Sequence, residues 1–456
     1  MKVFLANPSC RVDIGGGKEK YFVRAGSRWP FSTIKKISDL PEYIPFPFFL
    51  AYATSLLKSK GKKAKLIDAI AEGIDEQDTR EKIKACNPKL LVVETATPSF
   101  INDIEIVKRI YNDLDNCNIA LCGPHASVYA QQILKEYEFI NYVLIGEYEY
   151  GLLELVDSLE NKRELNTVRG LVYRVNGKVQ VNDPRPTIDN LDNLPWPERD
   201  DVPIYKYNDG FAQMPTPNAQ MWASRGCPYN CTFCLWPQTI YKERRYRKRK
   251  VKNVIDEMEY LAKQLKFKAI YFDDDVFNID RNYVISICNH IKDRKIKTPW
   301  AVMARADLID EELLRKMAEA GLYAIKYGIE SIDKKILNFC QKGIDINKTC
   351  SAIEATKRQG IKAHLTFCLG LPGETEDTIQ KTLKFIKYTR PDSFQFSLAT
   401  PFPGTEYFTQ AENNGWLFSK KWSDYDGNYK SVVRTESLTD KDIERIRRDL
   451  SRNFNV

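Results

Sequence analysis

Cys227, Cys231 and Cys234 lie in the run Ser224-Arg225-Gly226-Cys227-Pro228-Tyr229-Asn230-Cys231-Thr232-Phe233-Cys234, a Cys-x3-Cys-x2-Cys triplet. Three thiolates are one short of the four that close an ordinary iron–sulfur cluster, so a 4Fe–4S cluster held here would keep one iron open to an outside ligand. Two plainer readings stand beside it: cysteines together by chance, or a zinc site lacking a ligand. Structural zinc sites pair two Cys-x2-Cys knuckles or bring in histidine. The three histidines, His125, His290 and His364, are all remote from the triplet in sequence, which weighs against zinc.

Other residue groups downstream could also do chemistry. Phe272-Asp273-Asp274-Asp275-Val276-Phe277 holds three consecutive carboxylates, which repel one another and need a cationic partner. The plain alternative is a solvated acidic turn that caps the next helix. Arg305 follows. Tyr327-Gly328-Ile329-Glu330-Ser331 joins a glycine that permits close backbone approach to a carboxylate that can accept from hydroxyls. Gly370-Leu371-Pro372-Gly373-Glu374-Thr375 and Pro401-Phe402-Pro403-Gly404-Thr405 contain Pro-Gly pairs, which mostly mark turns.

These groups need elements to position them. Apolar runs at 221–224, 269–272, 300–303, 323–327, 362–367 and 393–397 read as strands, with helical patterns between them at 254–265, 311–320, 346–359 and 375–388. Each motif falls where one of these strands ends. Six β/α units are too few to close an eight-stranded barrel, whose active sites gather at the C-terminal ends of its strands. Upstream, strands at 2–6, 64–68, 90–94, 119–123 and 142–146 alternate with helices at 48–60, 101–114 and 127–137. That pattern predicts an open parallel sheet, Rossmann-like or flavodoxin-like, with ligands at the strand ends. Asn7, Asp68, Thr95, Thr97, Gly123, His125, Gly146 and Glu147 stand at those ends.

Between the two sheets, Asn176-Gly177 flanked by apolar runs signals a hairpin. A proline-rich stretch follows it and reads as a linker. The expected division is 1–160, 161–217 with the hairpin, 218–405, and a small extension over 406–456 with a charged helix at 441–454. The stretch 21–30 reads as a loop whose arginines and aromatics either grip an anionic or sugar-like substrate or pack a domain interface.

A chain of 456 residues has room for two or three domains. Hydrophobic content of 43% with 29% charged residues excludes a disordered chain. No apolar run approaches the ~20 residues of a membrane span. The apolar start is too short for a secretory signal. The remaining cysteines (Cys10, Cys86, Cys117, Cys122, Cys288, Cys340, Cys350 and Cys368) are scattered singly, as in a reducing compartment. A cytoplasmic protein is expected. The basic run 242–250 reads as a solvated loop leading into a helix rather than a nucleic-acid surface.

The triplet with Phe233 before its last cysteine, followed in order by the strand-end motifs, resembles the radical S-adenosylmethionine enzymes. Over roughly residues 1–410 the chain resembles the subgroup with an N-terminal cobalamin-binding domain. The fold implied is α/β: a Rossmann/flavodoxin-like cobalamin-binding domain, then a partial (β/α)6 TIM-type barrel and a small C-terminal extension. The resemblance implies a 4Fe–4S cluster on Cys227, Cys231 and Cys234, with the open iron chelating S-adenosylmethionine. It implies S-adenosylmethionine contacts from Phe233, Asp274, Asp275, Arg305, Gly328, Glu330 and Ser331. The acidic pair would take its ammonium, Arg305 its carboxylate and Glu330 its ribose.

For cobalamin, the resemblance implies contacts from Asn7, Asp68, Thr95, Thr97, Gly123, His125, Gly146 and Glu147. The counterpart of the subgroup's Asp-x-His-x-x-Gly motif is Asp68-Ala69-Ile70-Ala71-Glu72-Gly73, with Ile70 where a histidine would ligate cobalt. Either cobalamin binds with no protein histidine on cobalt, or the domain has lost it and serves as scaffold or lid.

The reaction implied is methyl transfer to an unactivated carbon of a small-molecule or natural-product substrate. The electron would come from an outside donor such as flavodoxin or ferredoxin. Ring closure, rearrangement or oxidation with the same cofactors is the alternative. RNA modification by a methylthiotransferase would need a further N-terminal cysteine trio, against which the placement of Cys10, Cys86, Cys117 and Cys122 argues. A non-catalytic cluster protein would have no use for the strand-end motifs.

Overall fold

A computed structural model of the chain describes residues 1–9, 11–37, 39 and 43–454; Cys10 lies outside them. The first sheet places Lys63–Asp68, Lys2–Asn7, Leu90–Glu94, Asn118–Cys122 and Tyr142–Leu144 side by side, all parallel. In chain order that is 2-1-3-4-5, the flavodoxin-like arrangement. Its order reverses between Lys2–Asn7 and Leu90–Glu94, where such sheets bind ligands. Successive side chains feed opposite cores. Val3, Leu5 and Val92 pack toward helix Phe48–Ser59, while Phe4, Ala6 and Val93 pack toward helix Phe100–Asn112. That double burial is why these strands read as continuous apolar runs.

Two departures from expectation shape the site. The hairpin Leu171–Val175/Lys178–Val181, expected within the linker, instead extends the first sheet beside Tyr142–Leu144 and covers its edge. The stretch expected as a loop at 21–30 begins as a strand. Arg11–Gly15, Lys18–Val23 and Phe31–Lys36 form a three-stranded antiparallel ribbon turned by Gly15, Gly16 and Gly17, all at positive φ. The ribbon reaches the strand ends of the first sheet. There Arg11 Nη2 donates to Gly73 O at 3.3 Å and Arg24 Nη2 donates to Pro8 O at 2.5 Å.

The second sheet has six parallel strands in chain order: Asn218–Met221, Ala269–Phe272, Trp300–Ala304, Leu322–Glu330, Lys362–Leu369 and Ser393–Leu398. Helices such as Arg281–Asp293, Glu311–Glu319, Ile346–Arg358 and Glu376–Thr389 connect them, giving the expected partial barrel. Its first strand ends earlier than the 221–224 pattern suggests. The Ala223 amide is taken by Asp274 Oδ1 at 2.9 Å, and Ser224–Arg225 turns away to pair antiparallel with Arg247–Lys248. The basic run 242–250 is therefore only in part the solvated loop expected before helix Val251–Glu259: Lys242, Arg245, Lys248 and Lys250 are exposed, but two of its arginines are not. Arg247 and Arg249 are each 4% exposed, held by Glu147 and Glu257. Among the described residues, no helix is long and apolar enough to cross a membrane.

Candidate active site

The cysteine loop is braced before any ligand is considered. Gly226 has φ +86°, and a Cβ there would lie 2.0 Å from Arg245 O, so only glycine lets the loop pass beneath that backbone. Arg244 Nη1 donates to Tyr229 O at 2.9 Å, Gln238 Nε2 to Cys234 O at 2.7 Å, and the Thr232 amide to Cys340 O at 3.0 Å. Cys227 and Cys231 are buried and Cys234 partly so. Burial pushes the Cys227 thiol up to about 11. A bond from the Cys234 thiol, assisted by Lys342 and Arg305, lowers Cys231. No three His, Cys, Asp or Glu groups among the described residues already stand at metal-binding spacing. The fit rests on the donor set, three soft thiols in one loop with cations beside them, which suits iron–sulfur ligation.

The acidic run braces this loop. Asp273 pairs with Arg28, which arrives from the segment after strand Lys18–Val23. Arg28 Nη1 also donates to Asp273 O at 2.6 Å, and its guanidinium lies 5.4 Å from the Trp236 ring. The cationic partner required by three adjacent carboxylates is thus supplied by the protein. Burial raises Asp273 to about 6 and Asp274 to about 7, against the pull of their partners. Asp274 accepts from the Ala223 amide and the Ser224 hydroxyl. Asp275 accepts from the Gly226 amide at 2.8 Å and the Tyr241 hydroxyl at 3.1 Å.

Arg305 is similarly committed. It forks onto Asp307 at 3.0 and 2.8 Å, donates to Lys342 O at 2.9 Å and Gly343 O at 3.0 Å, and lies 3.6 Å from the ring centroid of Tyr229.

Strand Leu322–Glu330 ends in a register shift that places Glu330 at φ +66°. A Cβ on Gly328 would lie 2.9 Å from Glu330 Oε1 and 3.2 Å from Lys342 Nζ, so the glycine makes room for this pair. Ser331 Oγ accepts from the Asp333 amide at 3.2 Å. Lys342, 8% exposed, bonds Glu330 at 3.1 Å and lies 6.0 Å from the Phe233 ring. Burial alone would lower its pKa; Glu330 and the Cys231 and Cys234 thiols hold it above the usual lysine value. Reading the sequence missed Lys342, because Gln341-Lys342-Gly343 looks like an ordinary helix end.

At the first sheet, Asn7 and Tyr207 donate to Asp68 at 2.9 and 3.0 Å, and Asp68 caps the short helix Ala69–Glu72. Burial raises Asp68 to about 6. Thr97 meets His125 at 3.2 Å. His125 is enclosed by Phe100, Tyr129 and Trp422, and burial lowers it to about 3, which keeps the imidazole neutral. Thr95 Oγ1 donates to Cys122 O at 3.3 Å, and the Gly146 amide to Ser127 Oγ at 3.1 Å. Glu147 faces away from the strand-end crevice, into two arginines. Asn7 Oδ1, Arg24 Nε and Nη1, and Trp29 Nε1 are buried without a hydrogen-bond partner among the described residues. Buried polar groups are nearly always bonded. Of these, Asn7 and Arg24 stand at the end of strand Lys2–Asn7, beside the reversal point of the sheet, and fit a ligand rich in amides such as cobalamin.

The profile of the Radical SAM superfamily matches residues 223–386. The uncharacterized methyltransferase PH0819 of Pyrococcus horikoshii is 33% identical over 404 residues, 88% of this chain and 86% of that protein. The anaerobic magnesium-protoporphyrin IX monomethyl ester cyclase of Rubrivivax gelatinosus is 29% identical over 385 residues, 80% of this chain and 66% of its own length. The structure of the cobalamin-dependent S-adenosylmethionine radical enzyme OxsB, with aqua-cobalamin and S-adenosylmethionine bound, matches with a TM-score of 0.73. That match covers 98% of this chain and 74% of that one at 18% identity, a likeness of fold. The chain belongs to the same family as the methyltransferase PH0819 and carries a Radical SAM superfamily domain over residues 223–386, on a fold shared with cobalamin-dependent radical S-adenosylmethionine enzymes. Its chemistry therefore runs on a 4Fe–4S cluster and S-adenosylmethionine.

Proposed function

We propose that this enzyme transfers a methyl group to an unactivated carbon of a small molecule, with cobalamin bound at the first sheet. The observation that carries the reading is the approach of the two sites. Trp29 lies five residues beyond Arg24, which bonds Pro8 O at the end of the first sheet's strand Lys2–Asn7, and its ring is 6.4 Å from that of Phe233, the residue before Cys234. Bound in place, the cluster would supply the electron that splits S-adenosylmethionine, and cobalamin the methyl group. Cys227, Cys231 and Cys234 would hold the cluster, and Glu330, Lys342 and Phe233 would face S-adenosylmethionine beside it. Asp274, Asp275 and Arg305 act through the loop they brace. Trp29, Phe233 and Phe402 exclude water where the sites meet. The electron comes from an outside carrier of the flavodoxin or ferredoxin kind. The unpaired cysteines suit a reducing cytoplasm.

Anaerobic reconstitution with iron, sulfide and hydroxocobalamin tests this. Stoichiometric retained cobalamin, with S-adenosylhomocysteine and 5′-deoxyadenosine both formed under reduction, is expected. Cys231→Ala should abolish deoxyadenosine. The similarity to a cyclase favours one second reading, ring closure with the same cofactors. Deoxyadenosine without any S-adenosylhomocysteine would select it.

A further inference from the structure

Four charged side chains meet between the two sheets with 0–3% side-chain exposure. Glu147 and Glu149 follow the last parallel strand of the first sheet. Arg225 stands two residues before Cys227, and Arg247 is its cross-strand partner. Arg225 Nη1 lies 3.0 Å from Glu147 and 2.7 Å from Glu149. Arg247 forks onto both oxygens of Glu147 at 2.7 and 3.0 Å. The Arg225 guanidinium is boxed by Phe49 and Tyr52 from the first domain and Trp222 from the barrel, at 5.1, 4.9 and 5.0 Å. At Gly146 the domains touch backbone to backbone, since a Cβ there would lie 2.9 Å from Ile240 O.

A buried ion network adds little net stability over apolar packing of the same volume, but its bond directions fix a unique arrangement. An apolar interface could slide; Arg247 forked onto Glu147, with Arg225 Nη1 shared between Glu147 and Glu149, cannot do so without leaving charge unpaired. The network joins the strand end beside the cobalamin crevice directly to the backbone that leads into the cysteines. We infer that Arg225, held by Glu147 and Glu149, is a positioning residue. It registers the cysteine loop against the first sheet and so sets the separation between cluster and cobalt. The inference rests on the cofactor assignment proposed above.

Pulsed electron paramagnetic resonance on the reconstituted full chain, reduced to carry cob(II)alamin and a paramagnetic cluster, reads that separation. A single narrow distance is expected in the wild type. A displaced or broadened distance is expected in Arg225→Lys, which keeps the charge and loses the planar guanidinium boxed by Phe49, Tyr52 and Trp222, and in Glu149→Gln, at unchanged iron and cobalt content. An unchanged distance in both variants overturns the inference.

Hydrogen exchange on the cofactor-free full chain decides the matter where a variant fails to load. Residues 146–149 and 224–234 should lose protection together in Arg225→Lys, by about tenfold or more; loss confined to 224–234 overturns it. A wild type that takes the cluster but no cobalamin would remove the cofactor assignment and leave exchange to judge the coupling.

Discussion

Lys342 donates to Glu330 across 3.1 Å at the mouth of the cysteine loop, its ammonium 6.0 Å from the ring of Phe233. A buried cation beside three thiolates lowers the electrostatic cost of adding an electron there. Lys342→Met should therefore lower the midpoint potential of the cluster, read by redox titration. It should also slow deoxyadenosine formation by about tenfold or more, on the order of 1.4 kcal/mol in barrier. The single substitution also strands Glu330, so part of its effect will be on stability. Lys342→Met with Glu330→Gln removes that charge; melting temperature should recover while potential and rate do not. Equal midpoints in wild type and Lys342→Met would sink the electrostatic role.

Glu374 offers a pH signature. It is 4% exposed, its side chain accepts from the Gly370 amide, and burial pushes it from 4.5 up to about 8. The folded state thus holds a proton that the unfolded chain releases. Its stabilising contribution is complete below pH 4.5 and is lost as pH rises through 8. Glu374→Gln stays neutral throughout. The stability of wild type relative to this variant should fall between pH 5 and pH 8 by a few kcal/mol, at about 1.4 kcal/mol per pH unit at most. Denaturant unfolding of the cofactor-free chain at those two pH values measures it. A difference independent of pH would show that Glu374 is ionised in the fold.

The cysteine triplet was legible because its three thiols fall within a single short loop, so local sequence alone brings them together. The parallel strands were legible because burial on both faces writes them as apolar runs, as at Leu90–Glu94. The ribbon was not. Lys18–Val23 and Phe31–Lys36 carry lysines on an exposed face, and Lys18-Glu19-Lys20 mimics a solvated loop. Partnerships across distant segments were equally hidden. Asp274 and Asp275 lie 50 and 49 residues from the Ser224 hydroxyl and Gly226 amide that they hold, so their local sequence announces only an acidic turn. Arg305 looked free for a carboxylate because Asp307, Lys342 and Gly343 converge on it only in three dimensions. Likewise, Glu147 sits at a strand end by sequence, but its side chain serves the interface.

Gly123 shows how the crevice depends on backbone rather than on side chains. It has φ +95°, and a Cβ there would meet Thr95 O at 2.5 Å and Glu94 Cγ at 2.9 Å. Gly61 also has a positive φ, +74°, but has open space around its Cβ position. Alanine at Gly61 incurs the positive-φ backbone penalty, about 1–2 kcal/mol, and at Gly123, whose ψ of 179° puts it in a region essentially reserved for glycine, a larger one. Only Gly123→Ala must also push apart the end of strand Leu90–Glu94 and the start of helix Pro124–Glu136. Gly61→Ala should lower stability by the backbone term alone and keep cobalamin at wild-type stoichiometry. Gly123→Ala should cost about 1–3 kcal/mol more and lose retained cobalamin on desalting, with the cluster still formed. Paired melting curves and visible spectra of the two variants make the comparison. If Gly123→Ala holds cobalamin as tightly as Gly61→Ala does, the ligand does not rest on this strand end, and the crevice at the reversal point of the sheet must be assigned to something else.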